Sequence, residues 1–389
     1  MTRSFPITRA EWRWTIAASV LILFLSAIPY IIGYLSETAE WRFGGAVFDR
    51  QDYNVYLANI QIGLRGEWQL RMLHTSEELS PAYVRMFYVL IGQVGRLTHL
   101  APAALYEAAR WIAGLGMLLT LYAFTARFLY PIALRRAAFL IGALGSGIGW
   151  LLLILRWQPN PDVSPIDFWL IDLYGFFSLL AFPHFAMVMA ALWSAVLAML
   201  KHWETGQWRW LIVCALCVVV MQLAQPFGLV IITLVLIGYA AWGWFARERR
   251  FPVASLGLLM LAQLPLAAHT LLVLYGDPRW SGFSAQNITL SPDPIYYVLG
   301  LGIPGALAIV GAWRVARRRF GPACLLVVWL VAVAILVYAP VAFQRRFAEG
   351  VTAPIAVLAA LGGGYSILPR LARWRSFRRA RNVAIILTL

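Results

Sequence analysis

Long apolar runs separated by short arginine clusters leave this chain few ways to fold. A backbone placed in hydrocarbon has to satisfy its own hydrogen bonds, so runs of spanning length become helices. Runs long enough to cross roughly 30 Å of hydrocarbon occur at 14–35, 103–126, 136–155, 176–200, 252–275, 296–313, 321–340 and 350–368. The run 208–245 is too long for one span, and Gln225-Pro226-Phe227-Gly228 near its middle divides it into two helices. The expected fold is all-α, a polytopic transmembrane helical bundle of about 10–11 spans. It forms a single membrane domain over 1–389. Composition agrees: 61% of residues are hydrophobic and 13% charged, which excludes an ordinary soluble domain.

The arginines Arg3, Arg9 and Arg13 precede an apolar stretch from Trp14 to Leu35 that is too long for a signal-peptide core, so it reads as a retained first span. At the other end an apolar run begins at Val383 and stops at Leu389, which reads as a truncated span or an interfacial stub.

A net charge of +15 would suggest nucleic-acid binding in a soluble chain. Here the basic residues sit in short clusters between apolar runs, so they read as topology signals and contacts to anionic membrane lipids, with no nucleic acid implied. With the N-terminus cytoplasmic, the inner segments are 1–13, 127–136, 201–209, 246–251, 314–320 and 369–382. These hold 21 basic residues and three acidic ones, Glu11, Glu204 and Glu248. The opposite side holds 11 basic and 14 acidic residues. The chain therefore reads as an integral plasma (inner) membrane protein whose acidic, loop-rich segments are extracytoplasmic. Residues 81–98 are apolar but short and carry Arg85 and Arg96, which favours an interfacial or re-entrant helix over a crossing.

Three outer segments are long: 36–102, 156–175 and 276–295. The first holds an amphipathic stretch with Leu57, Ile60 and Leu64 on one face, as expected of a helix lying on the membrane surface. Cys214, Cys217 and Cys324 all fall in apolar runs and read as small apolar filler. Asp162, Asp167 and Asp172 recur every five residues, a spacing that scatters carboxylates around a helix and reads as solvated loop residues without a metal.

The densest polar cluster is Phe48-Asp49-Arg50-Gln51-Asp52-Tyr53-Asn54-Val55-Tyr56. A carboxylate just above hydrocarbon is partly desolvated, which raises its basicity and suits it to take a proton from a hydroxyl or amine. Asp52 also stands where a helix N-cap is expected, and capping would lower its basicity. The two roles compete.

Asp52, Tyr56, Gly66-Glu67-Trp68, Ser80-Pro81-Ala82-Tyr83 and Phe87-Tyr88 resemble the first outer loop of the GT-C membrane glycosyltransferases, in the protein-mannosyltransferase and lipid A aminoarabinose-transferase branch. Tyr106-Glu107-Ala108-Ala109-Arg110 is similar to that branch's next helix. The motif resemblance covers about residues 40–130. It implies that Asp52 is the catalytic carboxylate, and that a polyprenyl-phosphate-linked sugar is the donor, attacked with inversion by an acceptor (a glycan, lipid or protein). Where the branch carries Asp-Glu this chain has Asp52-Tyr53, so Asp49 is the candidate for the second carboxylate's role.

Such a reaction needs cations for the carrier phosphate, and arginine forks fit phosphate. Gln344-Arg345-Arg346 lies on the outer side, where paired arginines break the topological rule, and reads as a phosphate contact expected to share a pocket with Asp52. Salt bridges to Glu349 and lipid-headgroup binding are the alternatives. Arg110 is a ligand contact or half of a buried pair with Glu107, and His184 is a hydrogen-bonded interior residue or a site member. Tyr56, Gln286 and Asn287 complete the substrate-binding candidates, the last two because amides beside aromatics suit sugar rings. Two other functions compete: a transporter or flippase of an anionic or lipid-linked substrate, and a GT-C scaffold without activity. Transporters generally show matched interruptions in two halves, and Pro226 has no matching partner.

Overall fold

The computed structural model describes residues 6–72, 75–77, 79–157, 159–160, 162–247 and 251–371. The arginines beyond Leu371 and the apolar run from Val383 lie outside the described residues.

Helix α1 (Arg9–Leu35) starts with a capping box: Thr8 accepts the Glu11 amide N–H, and the Glu11 carboxylate accepts the Thr8 amide N–H. The first long loop then forms α2 (Arg50–Leu64) and α3 (Phe87–Thr98), followed by α4 (Pro102–Phe128), α5 (Ile132–Leu144), α6 (Gly149–Ile154), α7 (Gly175–Leu180) and α8 (Pro183–Thr205). The run 208–245 divides at the proline as its sequence requires, into α9 (Trp208–Ala224) and α10 (Phe227–Phe245). The chain continues through α11 (Val253–Gly276), α12 (Pro278–Gln286), α13 (Pro294–Ala316), α14 (Cys324–Leu336) and α15 (Thr352–Gly362), which runs through a π turn into the four-residue α16 (Leu368–Leu371).

Among the described residues seven helices are long and apolar enough to cross a membrane: α1, α4, α8, α10, α11, α13 and the continuous Thr352–Leu371 helix. Helices α9 and α14 are equally apolar but shorter. The core runs through the middle of the bundle, where α8 contributes Val188, Met189, Leu192, Trp193 and Val196, all inaccessible to solvent. The three cysteines are free, and Cys214 and Cys324 are buried in this core.

Three expected spans differ: 176–200 divides into α7 and α8 ahead of Pro183, α14 covers only part of 321–340, and 136–155 is broken. The segment 136–155 is two helices, because α5 ends at Leu144 and the chain opens at Gly145, Ser146 and Gly147 before α6. The opening faces a second interruption, the kink in α13 at Gly302 (φ +45°), two residues before Pro304. The kink leaves carbonyls without helical partners. Ile148 N–H donates to Leu299 O at 3.0 Å, and the Tyr174 hydroxyl donates to Gly300 O at 2.7 Å. Each break thus satisfies the other's backbone.

Different groups gather at the two ends of the bundle. At one end Glu11 accepts from Arg135 at 2.7 Å and from the Tyr122 hydroxyl at 2.8 Å, and Arg127 pairs with Glu204. At the other end the long loops meet: Trp280 donates its indole N–H to Ser80 O at 3.0 Å, Thr289 N–H donates to Ala342 O at 2.7 Å, and Arg346 pairs with Asp172.

Helix α2 does more than lie on a surface. Ile60 packs with Tyr53, Tyr88, Leu105 and Tyr106, while Ile62 packs on another side with Leu70, Ala82, Val89 and Trp280. Helix α3, at 12 residues, spans only about 18 Å and is too short to cross. It presses against α2 where two glycines meet. A Cβ on Gly63 would stand 2.1 Å from Val89 O, and one on Gly92 would stand 2.1 Å from Ile60 O. No other residue permits this approach.

Candidate active site

Asp49, not Asp52, caps α2. Its backbone is left-handed (φ 42°) and its Oδ1 accepts the Asp52 amide N–H at 3.1 Å. The competition expected between capping and basicity at Asp52 is removed: the Asp52 carboxylate lies in the first turn and accepts the Tyr56 hydroxyl at 3.3 Å.

Tyr56 links this carboxylate to an aromatic box. Its ring stacks on Tyr88 with centroids 4.3 Å apart and meets Phe182 and His184 edge-on, each at 5.2 Å. The Tyr88 hydroxyl is 2.7 Å from His184 Nδ1, and Gln225 lies near the His184 ring. Pro183 starts α8 and Pro226 starts the turn into α10, so both polar groups stand where prolines interrupt helical pairing. Gln225 Nε2 is buried with no hydrogen-bond partner.

The arginine pair arrives from the far end of the sequence, on a 3₁₀ turn, Gln344–Ala348, between α14 and α15. The Arg346 Cζ lies 5.4 Å from the centroid of Phe185, beside His184, and its Nη1 donates to both Asp172 oxygens at 3.0 and 3.2 Å. Asp172 is 2% exposed, which overturns its reading as a solvated loop carboxylate. Asp167 is also engaged, accepting the Gly149 N–H at 3.1 Å and the Ser146 hydroxyl at 3.0 Å, and only Asp162 of the three is exposed. Burial in an apolar corner is what makes the Asp172 carboxylate take an arginine. Arg345 stacks 4.9 Å over Trp169, and its buried Nε has no partner.

The electrostatics tie the two ends of the chain together. Burial raises the Asp52 pKa, the Asp49 charge adds to this, and the opposing pull of Arg85, the Tyr56 hydroxyl and Arg346 leaves it above the ordinary carboxylate value. For Arg346, burial pulls down, but Asp172 and Tyr56 outweigh it and hold the guanidinium more firmly charged. Arg345 is pulled down, by burial first.

Arg85, which the sequence reading counted only as an obstacle to crossing, lies close enough to act on Asp52. Its backbone is left-handed (φ 49°), its Cζ lies 5.5 Å from the Phe283 centroid, and it is the first opposite charge felt by Asp52. No periodicity marks such a residue.

The other candidates are placed differently. Arg110 is 1% exposed and fully engaged, with Glu107 at 2.7 Å, Ser26 at 3.2 Å, Leu179 O at 2.9 Å and the Tyr30 ring 4.4 Å beneath it, which is the buried-pair alternative. Gln344 serves the loop: with its amide oriented to suit both neighbours it donates to Ala339 O at 2.6 Å and accepts from Ser291 N–H at 3.2 Å. Gln286 and Asn287 end α12 with exposed side chains. Among the described residues no group of three or more His, Cys, Asp or Glu could hold a metal ion.

The described residues thus form an all-helical bundle whose apolar helices are of membrane-spanning length. Two solved structures share it. ArnT from Cupriavidus metallidurans bound to undecaprenyl phosphate superposes with a TM-score of 0.60 at 14% identity, over 94% of this chain and 62% of that one. The same ArnT in the apo state gives 0.54 at 14% identity, over 92% and 62%. This chain therefore spans less than two thirds of the length of those proteins. No protein-family profile matches the sequence, and no curated protein matches it.

Proposed function

We propose that the chain is a membrane glycosyltransferase that moves a sugar from a polyprenyl-phosphate carrier to an acceptor at the extracytoplasmic face. One observation carries the reading: Asp52, through Tyr56, and Arg346, over Phe185, border the same Tyr56–Tyr88–His184–Phe185 box, and the Arg346 charge is among those that act on Asp52. Asp52 takes the proton of the acceptor hydroxyl or amine as that atom attacks the anomeric carbon. The bond from that carbon to the carrier phosphate breaks, and the polyprenyl phosphate leaves with the electron pair. Arg346, Arg345 and Arg85 supply the positive charge that stabilises it. Tyr56 orients the base, and the aromatic box offers faces for the sugar ring. The phosphate lipid bound by ArnT, in the same fold, supports the choice of leaving group.

The test is a detergent-solubilised assay for release of undecaprenyl phosphate from undecaprenyl-phosphate-linked aminoarabinose and mannose, paired with binding of undecaprenyl phosphate against undecaprenol. Preference for the phosphate, lost on Arg346→Gln, is the expected result. Equal binding of phosphate and alcohol would sink the reading.

A further inference from the structure

Glu349 has no role in the reaction as drawn, and its surroundings are unusual. It follows the arginine turn, is 0% exposed, and neither of its carboxylate oxygens has a hydrogen-bond partner. Its backbone is fixed on both sides. Glu349 N–H donates to Arg346 O at 3.2 Å, and the next residue, Gly350 (φ +73°), accepts the Trp193 indole N–H at 2.8 Å with its carbonyl. A Cβ at Gly350 would stand 2.7 Å from Leu192, so this segment is pinned against α8. The charged groups that face Glu349 are Asp172 and Arg346, and Arg346 gives its hydrogen bonds to Asp172. An ionised carboxylate buried without a donor costs several kcal/mol, and a second carboxylate nearby makes ionisation harder still. Burial first, and Asp172 after it, raise the Glu349 pKa well above the usual range.

We infer that Glu349 is carried as the neutral acid, so that two guanidinium groups, Arg345 and Arg346, face one salt-bridged carboxylate, Asp172, and keep a net positive charge for the phosphate of the lipid carrier. Ionising Glu349 would cancel that charge. Its proton is what keeps the turn receptive to an anion, and Arg345, with an unpartnered Nε, is the group left able to respond. Glu349 is thus a positioning residue acting through the arginines. The inference rests on the phosphate-lipid reading for its purpose but not for the protonation itself. The sign follows from the raised pKa: phosphate affinity is full below it and falls as pH rises through it.

The experiment uses the full chain in detergent, with infrared spectroscopy and lipid binding in parallel. Near neutral pH the wild type should show a carboxylic-acid C=O stretching band that Glu349→Gln lacks and Asp52→Asn retains. Glu349→Gln should bind undecaprenyl phosphate within about threefold of wild type, because a neutral amide replaces a neutral acid. Absence of the acid band, or a tenfold weaker Glu349→Gln with unchanged thermal unfolding, would overturn the inference. Should Glu349→Gln not fold, the wild-type band alone decides, and its absence near neutral pH overturns the inference. If the wild type binds undecaprenol as well as its phosphate, the transferase reading fails while the band still reports on Glu349.

Discussion

Asp49 accepts the amide N–H of Asp52 at 3.1 Å, and this single hydrogen bond separates the two tasks that a carboxylate at a helix start can perform. Asp49 satisfies the helix, and the Asp52 carboxylate is left free of the cap to accept the hydroxyl of Tyr56. A proton acceptor that also capped would be held acidic by the helix it served.

Asp52→Asn should lower turnover by about 10²–10⁴-fold with little change in thermal unfolding, because only the proton acceptor is removed. Since burial and Asp49 raise the Asp52 pKa, the working base form is lost at higher pH than for an ordinary aspartate. Activity should therefore fall as pH drops through that raised value, and Asp49→Asn should move the fall to lower pH. A pH–rate profile unaffected by Asp49→Asn would count against the assignment.

Asp172→Asn should destabilise the fold. Breaking a buried ion pair by removing one partner costs about 3–5 kcal/mol. Asp172→Asn together with Arg346→Gln should be less destabilising than the two effects added, and a double-mutant cycle in thermal unfolding reads the difference. Strict additivity would mean that the pair is not coupled.

Gly63→Ala places a methyl 2.1 Å from Val89 O and has to push α3 away from α2. Overpacking of this kind costs about 1–3 kcal/mol. Because Asp52 and Tyr56 ride on α2 and Tyr88 on α3, activity should fall further than stability. A variant with wild-type turnover would show that the seam between these helices does not set the site.

At the opposite end of the bundle, Arg135→Leu strands Glu11, which is 1% exposed and keeps only Tyr122 and Thr8 as partners. A loss of about 3–5 kcal/mol is expected, with partial recovery in Glu11→Leu/Arg135→Leu. Thermal unfolding in detergent measures both.

Ser284→Cys, at an exposed position of α12, should react with an impermeant thiol reagent added from outside intact cells. Labelling confined to permeabilised cells would reverse the proposed sidedness.

Much of this was legible in the sequence because hydrocarbon is a strict solvent. Apolar length gave the spans, Pro226 gave the division of 208–245, and Asp52 with Tyr56 gave the carboxylate and its neighbour. The break at 145–148 was not legible, since nothing local says that a far kink at Gly302 will offer its carbonyls. Asp172 was misread for a related reason. Its burial depends on Arg346, 174 residues later, and no periodicity reports a partner at that distance. Arg85 was hidden because its left-handed backbone and its contact with Phe283 on α12 join segments about 200 residues apart in sequence, which no local pattern reports.

The paired interruptions at 145–148 and Gly302 bear on how such a chain is built. Ile148 and Tyr174 emerge from the ribosome more than a hundred residues before the carbonyls of Leu299 and Gly300 that they serve. Until those arrive, the earlier segment enters the bilayer as an unfinished element with polar backbone still exposed. Its completion is deferred to the synthesis of the later helices, so truncation ahead of Leu299 should leave the N-terminal part inserted yet unable to close on itself.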